Sequence, residues 1–157
     1  MFKKVCIIGC GLIGSSLARS IKKNKLASKV VSSNRSDLIN KKVIELKIVD
    51  QSSSDTKKMT KESDLIIIAT PLSSYAEVIL KIKDSLQEGA ILTDVGSVKE
   101  NIIRLVEKNI PKNISWISSH PIAGTEESGP DSGFAELFKN RWCILTPSKK
   151  VKDKDIK

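Results

Sequence analysis

Apolar positions follow two rhythms along this chain. Short unbroken runs, such as residues 5–8 (Val-Cys-Ile-Ile) and 65–69 (Leu-Ile-Ile-Ile-Ala), alternate with stretches where apolar residues recur every three or four positions. An unbroken run bounded by Gly or Pro is the pattern of a strand buried on both faces, and the wider spacing is that of one helix face. Strands are therefore expected at about residues 4–8, 29–33, 48–49, 65–69, 90–95, 114–118 and 142–145. Helices are expected at 12–24, 36–46 (with Ser36 as N-cap), 56–62, 72–86, 98–108 and 134–139. The Ser-rich residues 50–55 read as a loop, and Gly89 as the glycine that ends a helix. Strand and helix alternate, which predicts an α/β fold: a doubly wound, mostly parallel sheet with right-handed crossovers. Ligands of such sheets bind at the carboxyl ends of the strands, here residues 9–14, 33–36, 69–73, 94–99 and 119–129.

The first strand end carries Gly9, Gly11 and Gly14 at the G-x-G-x-x-G spacing, followed directly by the helical pattern of Leu12, Ile13, Leu17 and Ile21. Strand, glycine turn and helix together form the dinucleotide fingerprint of a Rossmann-type domain. Gly9 permits the tight turn, Gly11 lets backbone approach a pyrophosphate, and Gly14 lets helix and strand pack closely. Leu12 and Ile13 open the helix whose free N–H groups face the phosphates. At the end of the second strand, where a carboxylate would bind the ribose 2′-hydroxyl, stand Ser33, Asn34, Arg35 and Ser36. A guanidinium there can pair with a 2′-phosphate, so NADP is expected to be favoured, with NAD possible. Thr70 and Pro71, at the end of the fourth strand, and Gly96, after the fifth, complete the expected cofactor-binding set.

Composition narrows this picture. The chain has 157 residues, enough for one domain with a real core. Its 27 Lys and Arg against 18 Asp and Glu give a net charge of +9. The lysines are scattered, and three Phe, two Trp and one Tyr supply no aromatic interleaving, so no nucleic-acid partner is expected. No apolar run is long enough to span a bilayer and no secretory signal is visible, which predicts a cytoplasmic protein without a membrane partner. The three cysteines, Cys6, Cys10 and Cys143, have no metal-ligand spacing, and Cys6 and Cys143 fall in expected strands as small buried hydrophobes.

Two further strand ends carry the chemistry. One reads Thr-Asp-Val-Gly-Ser-Val-Lys over residues 93–99, and the other Ser-His-Pro-Ile-Ala-Gly-Thr-Glu over 119–126. His120 is the only histidine, hence the one imidazole able to exchange protons near neutral pH. Ser97 precedes a helix, where a hydroxyl can cap the helix and still contact a substrate.

Taken together, GCGLIG, DVGSVK, HPIAGTEESGP and FKNRWCILTP resemble the nicotinamide domain of the prephenate and arogenate (cyclohexadienyl) dehydrogenases, over essentially the whole chain. The resemblance implies an NAD(P)-dependent oxidative decarboxylation of prephenate or arogenate in tyrosine biosynthesis. It implies that His120 accepts the hydrogen bond of the ring hydroxyl, that Ser97 binds the same hydroxyl, and that Gly124, Thr125 and Glu126 line the substrate mouth. In that family a helical domain follows and makes a homodimer. Residues 1–148 are accordingly expected to be the dinucleotide-binding domain, and 149–157 a charged tail, frayed, at the start of the missing helical part. Such a chain binds cofactor and turns over little alone. Competing readings are another dehydrogenase or imine reductase on the same nicotinamide domain, and a non-catalytic dinucleotide-binding module.

Overall fold

The computed structural model describes residues 1–148 and 151–156. Seven strands form one sheet in the order β3-β2-β1-β4-β5-β6-β7. They are β1 (Phe2–Ile8), β2 (Ala27–Ser33), β3 (Gln51–Ser53), β4 (Leu65–Ile68), β5 (Ile91–Asp94), β6 (Ser115–Pro121) and β7 (Cys143–Pro147). The first six run parallel, and β7 pairs antiparallel with β6. The helices are α1 (Leu12–Lys23), α2 (Asp37–Glu45), α3 (Thr56–Thr60), α4 (Tyr75–Ile82), α5 (Glu100–Asn109) and α6 (Asp153–Ile156). Strand order reverses between β1 and β4, the switch point at which sheets of this kind open a crevice.

The unbroken apolar runs serve both sheet faces, because successive side chains on a strand point opposite ways. Val5 and Ile7 of β1 pack with Ala18, Ile21 and Val43 from α1 and α2. Cys6 and Ile8 pack with Ile66, Ile68, Tyr75, Ile79, Ile82 and Val106, on the side of α4 and α5. Each such side chain fully buried is worth about 1.5–3 kcal/mol, against a few tenths for helix propensity, so packing decides where these elements lie.

Several expected elements differ. Ile48 and Val49 are buried but form no strand; the third strand is Gln51–Ser53, inside the stretch expected to be a loop. Its serines pair laterally, with Ser52 Oγ 2.8 Å from Ser32 Oγ, so a polar edge strand carries no apolar signature. The expected helix 72–86 is α4 between two single 3₁₀ turns, Leu72–Ser74 and Lys83–Ser85. Helix α5 begins two residues later than expected and is preceded by Lys99, so Ser97 is no cap. Residues 134–139 form successive turns instead of a helix, for example Lys139 N–H to Glu136 O at 2.9 Å. Strand β6 runs to Pro121 because β7 pairs with its end, His120 opposite Ile144. Cys143 is exposed, unlike buried Cys6 and Cys10. In the tail, residues 149, 150 and 157 lie outside the described residues; 151–156 are docked, with Ser115 Oγ donating to Asp155 Oδ2 at 2.6 Å. No helix among the described residues is long and apolar enough to cross a membrane.

Candidate functional site

A cleft of about 580 Å³ opens at the carboxyl ends of β1, β2 and β4. The three glycines of the first turn have different reasons to be there. Gly9 has φ +94°, and a Cβ on it would lie 2.8 Å from Ala69 O. A Cβ on Gly14 would lie 2.0 Å from Gly9 O, so the close packing of α1 on β1 demands glycine. Gly11 is neither left-handed nor crowded: a Cβ there would meet nothing within 4 Å. The fold does not require glycine at 11, whereas a ligand running close over the turn would. Helix α1 starts without a side-chain cap and without an acidic residue in its first turn, leaving its N–H groups free for an anion. Burial pushes the Cys10 thiol up to about 11, against hydrogen bonds from Ser32 and Asn34, so it stays neutral beside that position. Thr70 Oγ1, on the cleft wall, is buried with no hydrogen-bond partner among the described residues. These features fit a dinucleotide.

The cleft is lined by Gly9, Gly11, Ser33, Asn34, Arg35, Ser36, Thr70 and Pro71 of the expected cofactor set. Leu12 and Gly14 are buried behind it in α1. Asn34 is not free to meet a ribose. Its Oδ1 accepts from Cys10 N–H at 2.6 Å, and its Nδ2 donates to Asn40 Oδ1 at 3.0 Å, tying the glycine turn to β2 and α2. Ser36 caps α2, accepting from Ile39 N–H at 3.5 Å. Arg35 is turned to α4, where its Nη2 donates to Glu77 Oε2 at 3.0 Å.

The second group of residues centres on Asp94, fully buried at the end of β5. Its carboxylate accepts from Gly96 N–H, Ser118 Oγ and Ser119 N–H, each at 3.0 Å, and from Tyr75 OH at 3.2 Å. Lys99 Nζ donates to both oxygens, at 2.9 and 2.8 Å, and to the Ser119 carbonyl. Burial, and then the Asp94 charge, push the Tyr75 hydroxyl well up from its usual range, so it remains a donor. This network clamps the turn bearing Gly96 and Ser97 to the strand bearing His120. Gly96 is tight as well, since a Cβ there would be 2.6 Å from Leu72 Cδ2. Ser97 is exposed, with no side-chain hydrogen bond among the described residues. His120 is half-buried; its Nδ1 is shielded from solvent and has no partner among the described residues.

Residues 122–142 form a strap from β6 back to β7. Gly124 and Thr125 line a cavity of about 450 Å³ with Ile122, Phe134, Leu137 and Arg141, and Glu126 is exposed beside them. The strap then crosses α1. A Cβ on Gly133 would be 2.1 Å from Ser15 Oγ, and Ser16 Oγ accepts from Phe134 N–H at 3.1 Å. Ion pairs Lys23–Glu136 and Lys42–Asp131 fasten it, and Gly129 and Pro130 reach the wall of the dinucleotide cleft. Sequence reasoning missed Asp94 and Lys99, although both stand in the DVGSVK stretch, and missed Glu77, which lies 42 residues from Arg35 with no local signal.

A family model described as the prephenate dehydrogenase nucleotide-binding domain matches residues 17–157. The chain belongs to the prephenate dehydrogenase family. It is 37% identical to the cyclohexadienyl dehydrogenase of Zymomonas mobilis over 147 residues, 94% of this chain and 50% of that protein. The prephenate dehydrogenase of Aquifex aeolicus, solved in complex with hydroxyphenyl propionate and NAD+, superposes with a TM-score of 0.90 at 28% identity, covering 99% of this chain and 54% of that one. The arogenate dehydrogenase of Synechocystis gives a TM-score of 0.89 at 28% identity, covering 98% and 53%. The chain thus spans about half the length of the relatives it matches.

The expected preference for NADP is corrected. The Aquifex relative was solved with NAD+. The physical reason lies in Arg35, whose guanidinium is already paired with the Glu77 carboxylate on the cleft wall, so a 2′-phosphate there would meet an anion as well as a cation.

Proposed function

We propose that this chain is the NAD-binding half of an enzyme that oxidises and decarboxylates prephenate or arogenate. The observation that carries the reading is His120, the one imidazole of the sequence, half-buried at the carboxyl edge of a dinucleotide-binding sheet on the strand that Asp94 holds. Bound NAD supplies a hydride acceptor. The residues of the chain do the rest. The glycine turn and α1 hold the pyrophosphate, and the Asp94–Lys99 clamp keeps Ser97 and His120 in fixed relation. The imidazole takes the hydrogen bond, and then the proton, of the ring hydroxyl as the carbon bearing it loses hydride and gains carbonyl character. The electrons of the breaking ring–carboxylate bond complete the aromatic ring, carbon dioxide leaves, and the proton returns to the phenolic oxygen. The substrate mouth is formed by Gly124, Thr125 and Glu126. A helical second half would close the site and make a homodimer.

The test is His120→Asn in the enzyme carrying a family-type second half. The expected result is a loss of about 10²–10⁴ in kcat with the NAD dissociation constant unchanged. Equal losses in both would assign His120 to folding.

A further inference from the structure

We infer that Glu77, on the first turn of α4, is the residue that makes the cleft accept a free ribose 2′-hydroxyl and reject a 2′-phosphate; the assignment rests on reading the cleft as a dinucleotide site. Dinucleotide folds usually place the discriminating carboxylate at the end of the second strand. Here that position is Asn34, whose amide is consumed by Cys10 N–H and Asn40. Among the described residues, Glu77 is the only carboxylate lining the cleft. It reaches the turn after β2 from the far wall, 3.0 Å from Arg35 Nη2. Its charge acts twice: it occupies the guanidinium that would hold a 2′-phosphate, and it repels that phosphate directly. Lys81, one turn further along the same wall, is a second cation that draws anions in, so Glu77 is the sole counterweight there. The Glu77–Arg35 pair is exposed, at 66% and 80% of the side chains, and exposed pairs add little to stability. The fold therefore does not need it, and substitutions should leave the protein folded.

The experiment is calorimetric titration of this chain with NAD and with NADP at low ionic strength. Wild type is expected to bind NAD more tightly. Glu77→Gln should shift the ratio of the two affinities toward NADP by about tenfold. Adding Arg35→Ala to Glu77→Gln should remove most of that shift. Both dinucleotides bound at an unchanged ratio in Glu77→Gln would overturn the assignment. So would an equal weakening of both, which would make Glu77 a wall residue only. Failure of wild type to bind either would overturn the cofactor reading and this assignment with it.

Discussion

Asp94 shows how much of a site can be hidden in a residue of ordinary type. It stands in the stretch that drew attention for Ser97, yet its partners Ser118 and Ser119 lie on another strand and Tyr75 on another helix, so no local spacing announces them. His120 was legible because it is the lone imidazole at a strand end; the hub that holds its strand was not. Asp94 is wholly buried and its partner Lys99 is 17% exposed, and removing one charge of such a pair strands the other. Asp94→Asn should therefore lower unfolding free energy by about 3–5 kcal/mol, seen as a lower urea midpoint. A midpoint within error of wild type would show that water replaces the lost charge. Gly14 was readable because it is fixed by backbone contact within one strand–turn–helix unit, whereas the crowding of Gly9 comes from Ala69 at the end of β4 and shows only in the fold.

At the scale of elements, apolar runs predicted the interior strands well, and edges poorly. Strand β3 has no hydrophobic signature because its central Ser52 bonds sideways to β2 and Asn40, and β6 extends through His120 only because β7 lies beside it. Pairing between distant segments set those bounds. Asp50, just before β3, is a tie of this kind. It accepts from Val30 N–H at 2.8 Å and Lys22 Nζ at 2.6 Å. Partial burial opposes ionisation, but these hydrogen bonds prevail and hold the carboxyl below its usual value. A lowered folded-state pKa stabilises above the unfolded value of about 3.9, and that contribution disappears as pH falls through the folded-state value. Asp50→Asn should thus cost stability at pH 7 and progressively less below pH of about 4, in chemical denaturation across that range. A gap that stays constant with pH would assign the cost to shape instead of charge.

Across the whole molecule, the sheet ends in β7 with all five residues exposed, Trp142 at 83% beside it and Ile144 at 54%. An uncovered edge strand with an apolar face invites association. Replacing Trp142 and Ile144 with Ser should reduce dye binding and concentration-dependent self-association while moving stability by only about 0.5 kcal/mol. Unchanged dye binding would place the exposed apolar surface elsewhere. The strap between β6 and β7 has a wider consequence. One continuous run of backbone walls the dinucleotide cleft at Gly129 and Pro130, rests on α1 at Gly133, and walls the cavity after His120 at Gly124 and Thr125. Two guests that settle the same segment are thermodynamically linked, and linkage is symmetric: whatever factor the first lends the second, the second returns. Each guest would then change the affinity for the other through the strap, with neither site needing to touch the other.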